Sequence, residues 1–450
     1  MAERMAVIGG DAAGMSAAAT ARRRDSDLEI VAFERGPYTS YSACGIPYYI
    51  GGAFDDSDRL ISRSPDEFRS SGVDVHTRHE VTAIDLDQRE LTVRDLDTRS
   101  ERTEGFDTLV YATGAEAVAP PIPGADMVEP VRTVDAAERF RNTMLRRDDT
   151  CAVVIGSGYI GMEMAEALVG RGLSVTLIDR LDQVFPSLDA DMAGHVQDAA
   201  ESDGIRVLLS AEIEEIRHEG GRPRAVLVDG DEIPAQHVVL ATGVRPLTKL
   251  AEEAGLELVA GAVRTDDHQR CPGFDGVYAA GDCVASWHRV LKEPANIQLG
   301  THANKQGRIA GANATGADIA FPGVIGTAIS RICRYEVART GISEREAAGA
   351  GIEVVAAEVK STTRAGYYPG TGPIWVKLVA EPGSGRLLGG QIVGVEGAAK
   401  RIDVLATCVW TGMAVGEIEL LDLAYAPPFS GVYDPVLVAA RETAKAVAGA

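Results

Sequence analysis

Residues 151–161 read CAVVIGSGYIG. Five residues suited to a buried strand run into G-x-G-x-x-G, with Gly156, Gly158 and Gly161 at the three glycine positions. A helical pattern, MEMAEALVGRG, follows, and then a second strand, SVTLID, ending at Asp179. The order strand, glycine turn, helix, strand, acid predicts a dinucleotide site. The turn lets a pyrophosphate approach backbone N–H groups at a helix N-terminus, and the acid accepts hydrogen bonds from a ribose. Asp179 favours a free 2′-hydroxyl, as in NADH, while Arg180 beside it can tolerate a 2′-phosphate.

The same unit occurs earlier. MAVI (5–8) leads to GGDAAG (9–14), then to MSAAATARRR and to LEIVAF, which ends before Glu34. Gly9 and Gly14 hold the outer glycine positions. Asp11 replaces the middle glycine, with Gly10 beside it. Two dinucleotide sites in one chain imply electron transfer between two nucleotides. TLVYATGA (108–115) and VVLATGVRP (238–246) each read as the closing strand of such a unit. GVYAAGDC (276–283) places Asp282 where an acid holds the ribitol chain of FAD.

The predicted fold is α/β: two Rossmann-like dinucleotide-binding domains, one for FAD and one for NAD(P)H, plus an α+β C-terminal domain. The expected boundaries are 1–118 with 245–322 for the discontinuous FAD domain, 119–244 for the NAD(P)H domain, and 323–450 for the last. After GVIGTAI (323–329) the pattern turns to β-rich stretches such as PIWVKLVAE, then to helices, with no nucleotide signature.

The chain has 450 residues, enough for several domains. Its formal charge of −22 argues against nucleic-acid binding, which needs a basic surface. No apolar run is long enough to span a bilayer, so no membrane association is expected. No signal-peptide pattern and no fused sulfur-transfer domain are expected either. The six cysteines are scattered, with no CxxC and no clustered metal ligands. That excludes a disulfide scaffold and structural zinc, and it points to a reducing, cytoplasmic setting.

One of those cysteines stands in YSACGIPYY (41–49), just after the first unit. These features resemble the FAD-dependent pyridine nucleotide–disulfide oxidoreductases over the whole chain. The single-cysteine branch is the nearest in pattern, coenzyme A disulfide reductase above all, through YSACGIPYY, VARTG (337–341), YYPG (367–370) and AYAPPFS (424–430). Dithiol relatives carry CxxxxC and a C-terminal His. Here Tyr49 stands five residues after Cys44, and no histidine lies beyond His302. The resemblance therefore implies a lone Cys44 that stores its oxidising equivalent as a mixed disulfide or sulfenic acid. Its thiolate is expected to be stabilised by the flavin and by backbone amides. The peroxidase and oxidase branch places a His in the first loop, and here that position is Ala12.

The resemblance implies a homodimer whose C-terminal domains complete each other's active sites. Tyr367 and Tyr425 of the partner copy would flank Cys44 as proton donors. It implies FAD contacts from Gly9, Gly10, Ala13, Gly14, Glu34, Arg35, Val81, Ala112, Thr113, Gly114, Asp282, Thr301 and Phe429. NAD(P)H contacts would come from Gly156, Gly158, Tyr159, Ile160, Gly161, Asp179, Arg180 and Gly243. Arg23, Ser40 and His302 would touch a small-molecule disulfide, either CoA disulfide or a similar disulfide or persulfide. Two departures weaken the match to CoA. Ala43 stands where CoA reductases often have Asn, and SSG (70–72) offers no Lys for a phosphate. Two rival expectations remain: an NADH oxidase reducing O2, and a flavoprotein that senses redox state through Cys44.

Overall fold

The computed structural model describes residues 3–145 and 149–449. Its first sheet has five parallel strands in the order Val277–Ala279, Thr108–Tyr111, Arg4–Ile8, Glu29–Glu34, Asp74–Thr77. The middle strands are apolar and buried on both faces, as a helix-covered parallel sheet requires. Helices Ala12–Arg24 and Gly300–Ala314 cover one face and pack on each other. Their closeness rests on small residues: a Cβ on Gly307 would lie 2.1 Å from the carbonyl oxygen of Ala13.

The second sheet repeats the plan with four parallel strands, in the order Ile205–Leu208, Ser174–Ile178, Cys151–Ile155, His237–Leu240. Each parallel sheet is accompanied by a three-stranded antiparallel one, 79–105 in the first half and 213–234 in the second. The chain leaves the first unit and re-enters it along one antiparallel pair, Ala115–Ala117 with Val244–Pro246.

In both units the first strand lies inside the sheet, with the next strand of the unit on one side and the strand that closes the unit on the other. That is the switch point where open α/β sheets bind ligands, at the carboxyl ends of the strands. Both glycine loops begin at such an end.

The C-terminal part is a five-stranded antiparallel sheet, Ala328–Ile332, Tyr335–Gly341, Leu387–Gly394, Pro373–Ala380 and Val355–Thr362 in spatial order. Helices Ile402–Thr411 and Pro435–Gly449 supply much of its apolar core. Buried Lys377 on this sheet pairs with Asp189, Asp191 and Glu344, which ties the sheet to the second nucleotide unit. No helix among the described residues is long and apolar enough to cross a membrane.

Candidate active site

Both loops are forced by close approach. Gly9 has φ +111° and Gly156 has φ +102°, a region that disfavours residues with a Cβ. A Cβ on Gly14 would sit 1.9 Å from the Gly9 carbonyl oxygen, and one on Gly161 would sit 1.8 Å from that of Gly156. The middle positions differ. A Cβ on Gly158 would meet no atom within 4 Å. That open space, at the N-terminus of helix Tyr159–Gly170, fits an approaching phosphate group.

The acids after the second strands organise their loops. Glu34 accepts hydrogen bonds from the amides of Gly10 (2.7 Å) and Gly36 (2.6 Å). Asp179 accepts from the Ser157 amide (2.7 Å), the Ser157 hydroxyl (2.6 Å) and the Leu181 amide (2.9 Å). Ile160 and Arg180 are exposed beside the second loop, and Tyr159 packs edge-on against Phe185 at 4.4 Å. Gly243, with φ +104°, lies in the connection back to the first unit.

In the first unit, Ala13 is buried behind the loop and Arg35 is exposed beyond Glu34. Val81 belongs to the core. The Ala112 amide donates to Ile8, the Thr113 hydroxyl donates to the Leu247 carbonyl, and the Gly114 carbonyl accepts from the Leu247 amide. Asp282 lies on the same side as the first loop, since its charge acts on Asp11 and on Cys44. Burial raises the pKa of Asp282, and Arg132, 3.7 Å away, offsets part of that rise.

Cys44 sits in a short 3-10 turn, Ala43–Gly45, directly before helix Ile46–Gly51. That helix is held between the two units. The Arg171 Nε donates to the Ile50 carbonyl at 2.8 Å, and the Arg141 guanidinium lies 4.3 Å over the Tyr49 ring. Tyr49, five residues after Cys44, is 5 % exposed and belongs to the core. Cys44 itself is exposed, whereas Cys271, Cys283 and Cys408 are buried.

The chain's own groups act on the Cys44 thiol. The chain raises the Cys44 pKa: partial burial comes first, then the Glu163 and Asp282 carboxylates, and these outweigh the lowering by its own backbone amide. Glu163 was not found from sequence. It lies on helix Tyr159–Gly170 and bonds the Ser330 hydroxyl at 2.6 Å. Its only signal was an acid interrupting an apolar helix face.

Ser40 adjoins the first loop, with its amide donating to the Gly10 carbonyl at 3.0 Å. Thr301 and His302 open helix Gly300–Ala314, and burial lowers the His302 pKa. Arg23 is elsewhere, near the C-terminal end of helix Ala12–Arg24. There it lines a cleft of ≈ 250 Å³ with Thr20, Arg24 and Arg308. Its neighbour Arg22 is structural, donating to the carbonyls of Ser26, Leu28 and Gly72.

Tyr367, Tyr425 and Phe429 are not brought to Cys44 by their own chain. They lie in the C-terminal part, where Tyr367 is 79 % and Phe429 75 % exposed. Burial and then the adjoining Tyr425 phenol raise the Tyr367 pKa, so these two side chains adjoin. Tyr368, Val432 and Tyr433 in the same part are exposed as well.

Comparison with known proteins bears on this arrangement. The family model for pyridine nucleotide-disulphide oxidoreductases matches residues 3–307, and that for their dimerisation domain matches 327–435. The chain is 36 % identical to an NADH oxidase of Methanocaldococcus jannaschii, over 98 % of this chain and 99 % of that one. It is also 36 % identical to an NAD(P)H coenzyme A polysulfide/persulfide reductase of Pyrococcus horikoshii, over 98 % of each. The solved structure of an NAD-dependent persulfide reductase from A. fulgidus superposes with TM-score 0.95 at 38 % identity, covering 99 % of this chain and 84 % of that one. Two nucleotide units, an exposed thiol at their seam and a C-terminal pairing domain place this chain in the pyridine nucleotide-disulphide oxidoreductase family.

Proposed function

We propose that the protein is an NAD(P)H-driven reductase of a low-molecular-weight disulfide or persulfide that carries a phosphate-bearing tail, with Cys44 as the group that touches substrate sulfur. The observation that carries this is the place of Cys44: one exposed thiol, at the seam of the two units, with a buried tyrosine where a second cysteine would stand. The cofactors are FAD and NADH or NADPH. FAD, when bound, supplies the two-electron relay between the nicotinamide and Cys44.

The Cys44 thiolate attacks one sulfur of the substrate. The S–S bond breaks, one thiolate leaves, and Cys44 holds the other half as a mixed disulfide. Two-electron reduction of that mixed disulfide regenerates the Cys44 thiolate and frees the second product. One NAD(P)H and one proton are consumed for each disulfide converted into two thiols. In this reading Tyr367 and Tyr425 of the partner copy, exposed on the C-terminal part, protonate the leaving thiolates. Gly156, Gly158, Gly161 and Asp179 hold the nicotinamide nucleotide. Gly9, Gly14, Glu34 and Asp282 hold the flavin. Burial, and then Glu163 and Asp282, raise the Cys44 pKa and so oppose the thiolate that attacks.

The tail rests on a cationic cleft away from the first loop. Arg23 lies eleven residues along its helix from Ala12, about 16 Å at 1.5 Å per residue. The Arg23, Arg24, Arg308 cleft suits the anionic end of a long substrate such as CoA. The cleft supplies the cations that SSG (70–72) lacks.

The test compares anaerobic NADH and NADPH oxidation with CoA disulfide, CoA persulfide and a short persulfide. CoA-bearing substrates should win in kcat/KM by on the order of 10- to 100-fold, an advantage that Arg308→Gln and Arg23→Gln reduce. Equal rates on short and long substrates would remove the tail from this reading. A second reading, reduction of O2, is favoured by the M. jannaschii relative. Fast turnover in air with none under anaerobic conditions would replace the first reading by the second.

A further inference from the structure

The middle position of the second glycine loop is empty space; in the first loop it holds Asp11. The Asp11 carboxyl is not turned out to water. Its Oδ1 is buried without a hydrogen-bond partner. Groups from every neighbouring element bear on it. Glu34 comes from the second strand, Asp282 follows strand Val277–Ala279, and the Tyr41 phenol and Cys44 come from the loop beyond Glu34. Two of these are carboxylates. Arg132, the cation at this place, is engaged with Asp282.

A charged Asp11 would therefore be a buried anion facing two others, at the loop whose N–H groups receive a pyrophosphate. Burying an unpaired charge is costly, and like charges at close range raise the cost. Burial and then Glu34 push the Asp11 pKa up to about 7, although the amides of Ala12 and Tyr41 pull it down. A bound pyrophosphate adds negative charge at the same loop and favours the neutral acid further.

We propose that Asp11 is a protonation-gated flavin-binding residue: the first loop holds the FAD pyrophosphate while the Asp11 carboxyl carries its proton, and loosens its hold when that proton leaves. Flavin binding then takes up a proton wherever the free protein has Asp11 ionised. The linkage sign follows. Affinity is level while Asp11 is neutral in both states and falls as pH rises through its free-protein pKa, by at most tenfold per pH unit.

The experiment needs no turnover, so it stands apart from the choice of electron acceptor. Holoenzyme is diluted at a series of pH values from about 5.5 to about 9, and released FAD is read by its fluorescence. Wild type should hold FAD evenly below about pH 7 and release it increasingly above, approaching tenfold weaker binding per unit. Asp11→Asn, which cannot ionise, should lose that slope. Asp11→Gly, which restores the three-glycine loop, should lose it too and decides the matter if the Asn variant does not fold. Asp282 is present in all three proteins, so the difference between their profiles is what isolates Asp11. A flat wild-type profile, or variant profiles parallel to it, overturns the proposal.

Discussion

At the first loop a Cβ on Gly14 would strike the Gly9 carbonyl oxygen at 1.9 Å, and at the second a Cβ on Gly161 would strike that of Gly156 at 1.8 Å. The outer glycines of the two units meet the same backbone obstacle in the same place. Between them the loops part company: open space at Gly158, a buried carboxyl at Asp11. The outer positions answer to the fold, because strand, turn and helix cannot close without them. The middle position answers to the ligand, because no protein atom occupies it in the second loop. One scaffold used twice can thus give its two nucleotides different conditions for staying bound.

The strongest way to break that comparison is at the outer glycines. Gly14→Ala and Gly161→Ala should each cost about 3 kcal/mol or more of stability, since the obstacle is backbone and cannot turn aside. Denaturant unfolding monitored by circular dichroism checks this, and a loss in only one loop would show that the two are not equivalent. The next largest effect is at the middle. Gly158→Asp should leave folding intact and weaken NADH binding on the order of 100-fold, through a like charge in the phosphate space. Nucleotide titration reads it, and unchanged NADH affinity would mean the open space is not the phosphate site.

The smallest effect sharpens the seam between the units. Glu163→Gln removes a carboxylate that raises the Cys44 pKa, so thiolate should form at lower pH. Alkylation of Cys44 near neutral pH should quicken about threefold. An unchanged alkylation profile would leave burial and Asp282 as the causes.

The parts of the molecule legible in the sequence are those written in local order. Strand, glycine turn, helix and acid are contiguous at 5–34 and at 151–179, and their spacing is dictated by the fold itself. Cys44 was legible because Tyr49 marks the missing second thiol within one short segment. Glu163, Arg132 and Arg308 were not, because each works across a contact between elements far apart in the chain. Asp11 was visible as a mismatch, but its meaning depends on burial and on Glu34 and Asp282, which only the folded loop supplies. The amide that lowers the Cys44 pKa is local, whereas the opposing Glu163 comes from a distant helix.

The central claim is that both nucleotide units serve one thiol. The direct measurement compares wild type with Cys44→Ser under anaerobic conditions, following flavin reduction by NADH and then turnover on CoA disulfide and CoA persulfide. The account predicts that NADH still bleaches the flavin in the variant, while disulfide and persulfide turnover falls by about 10³-fold or more. A variant that turns over these substrates near the wild-type rate would contradict it.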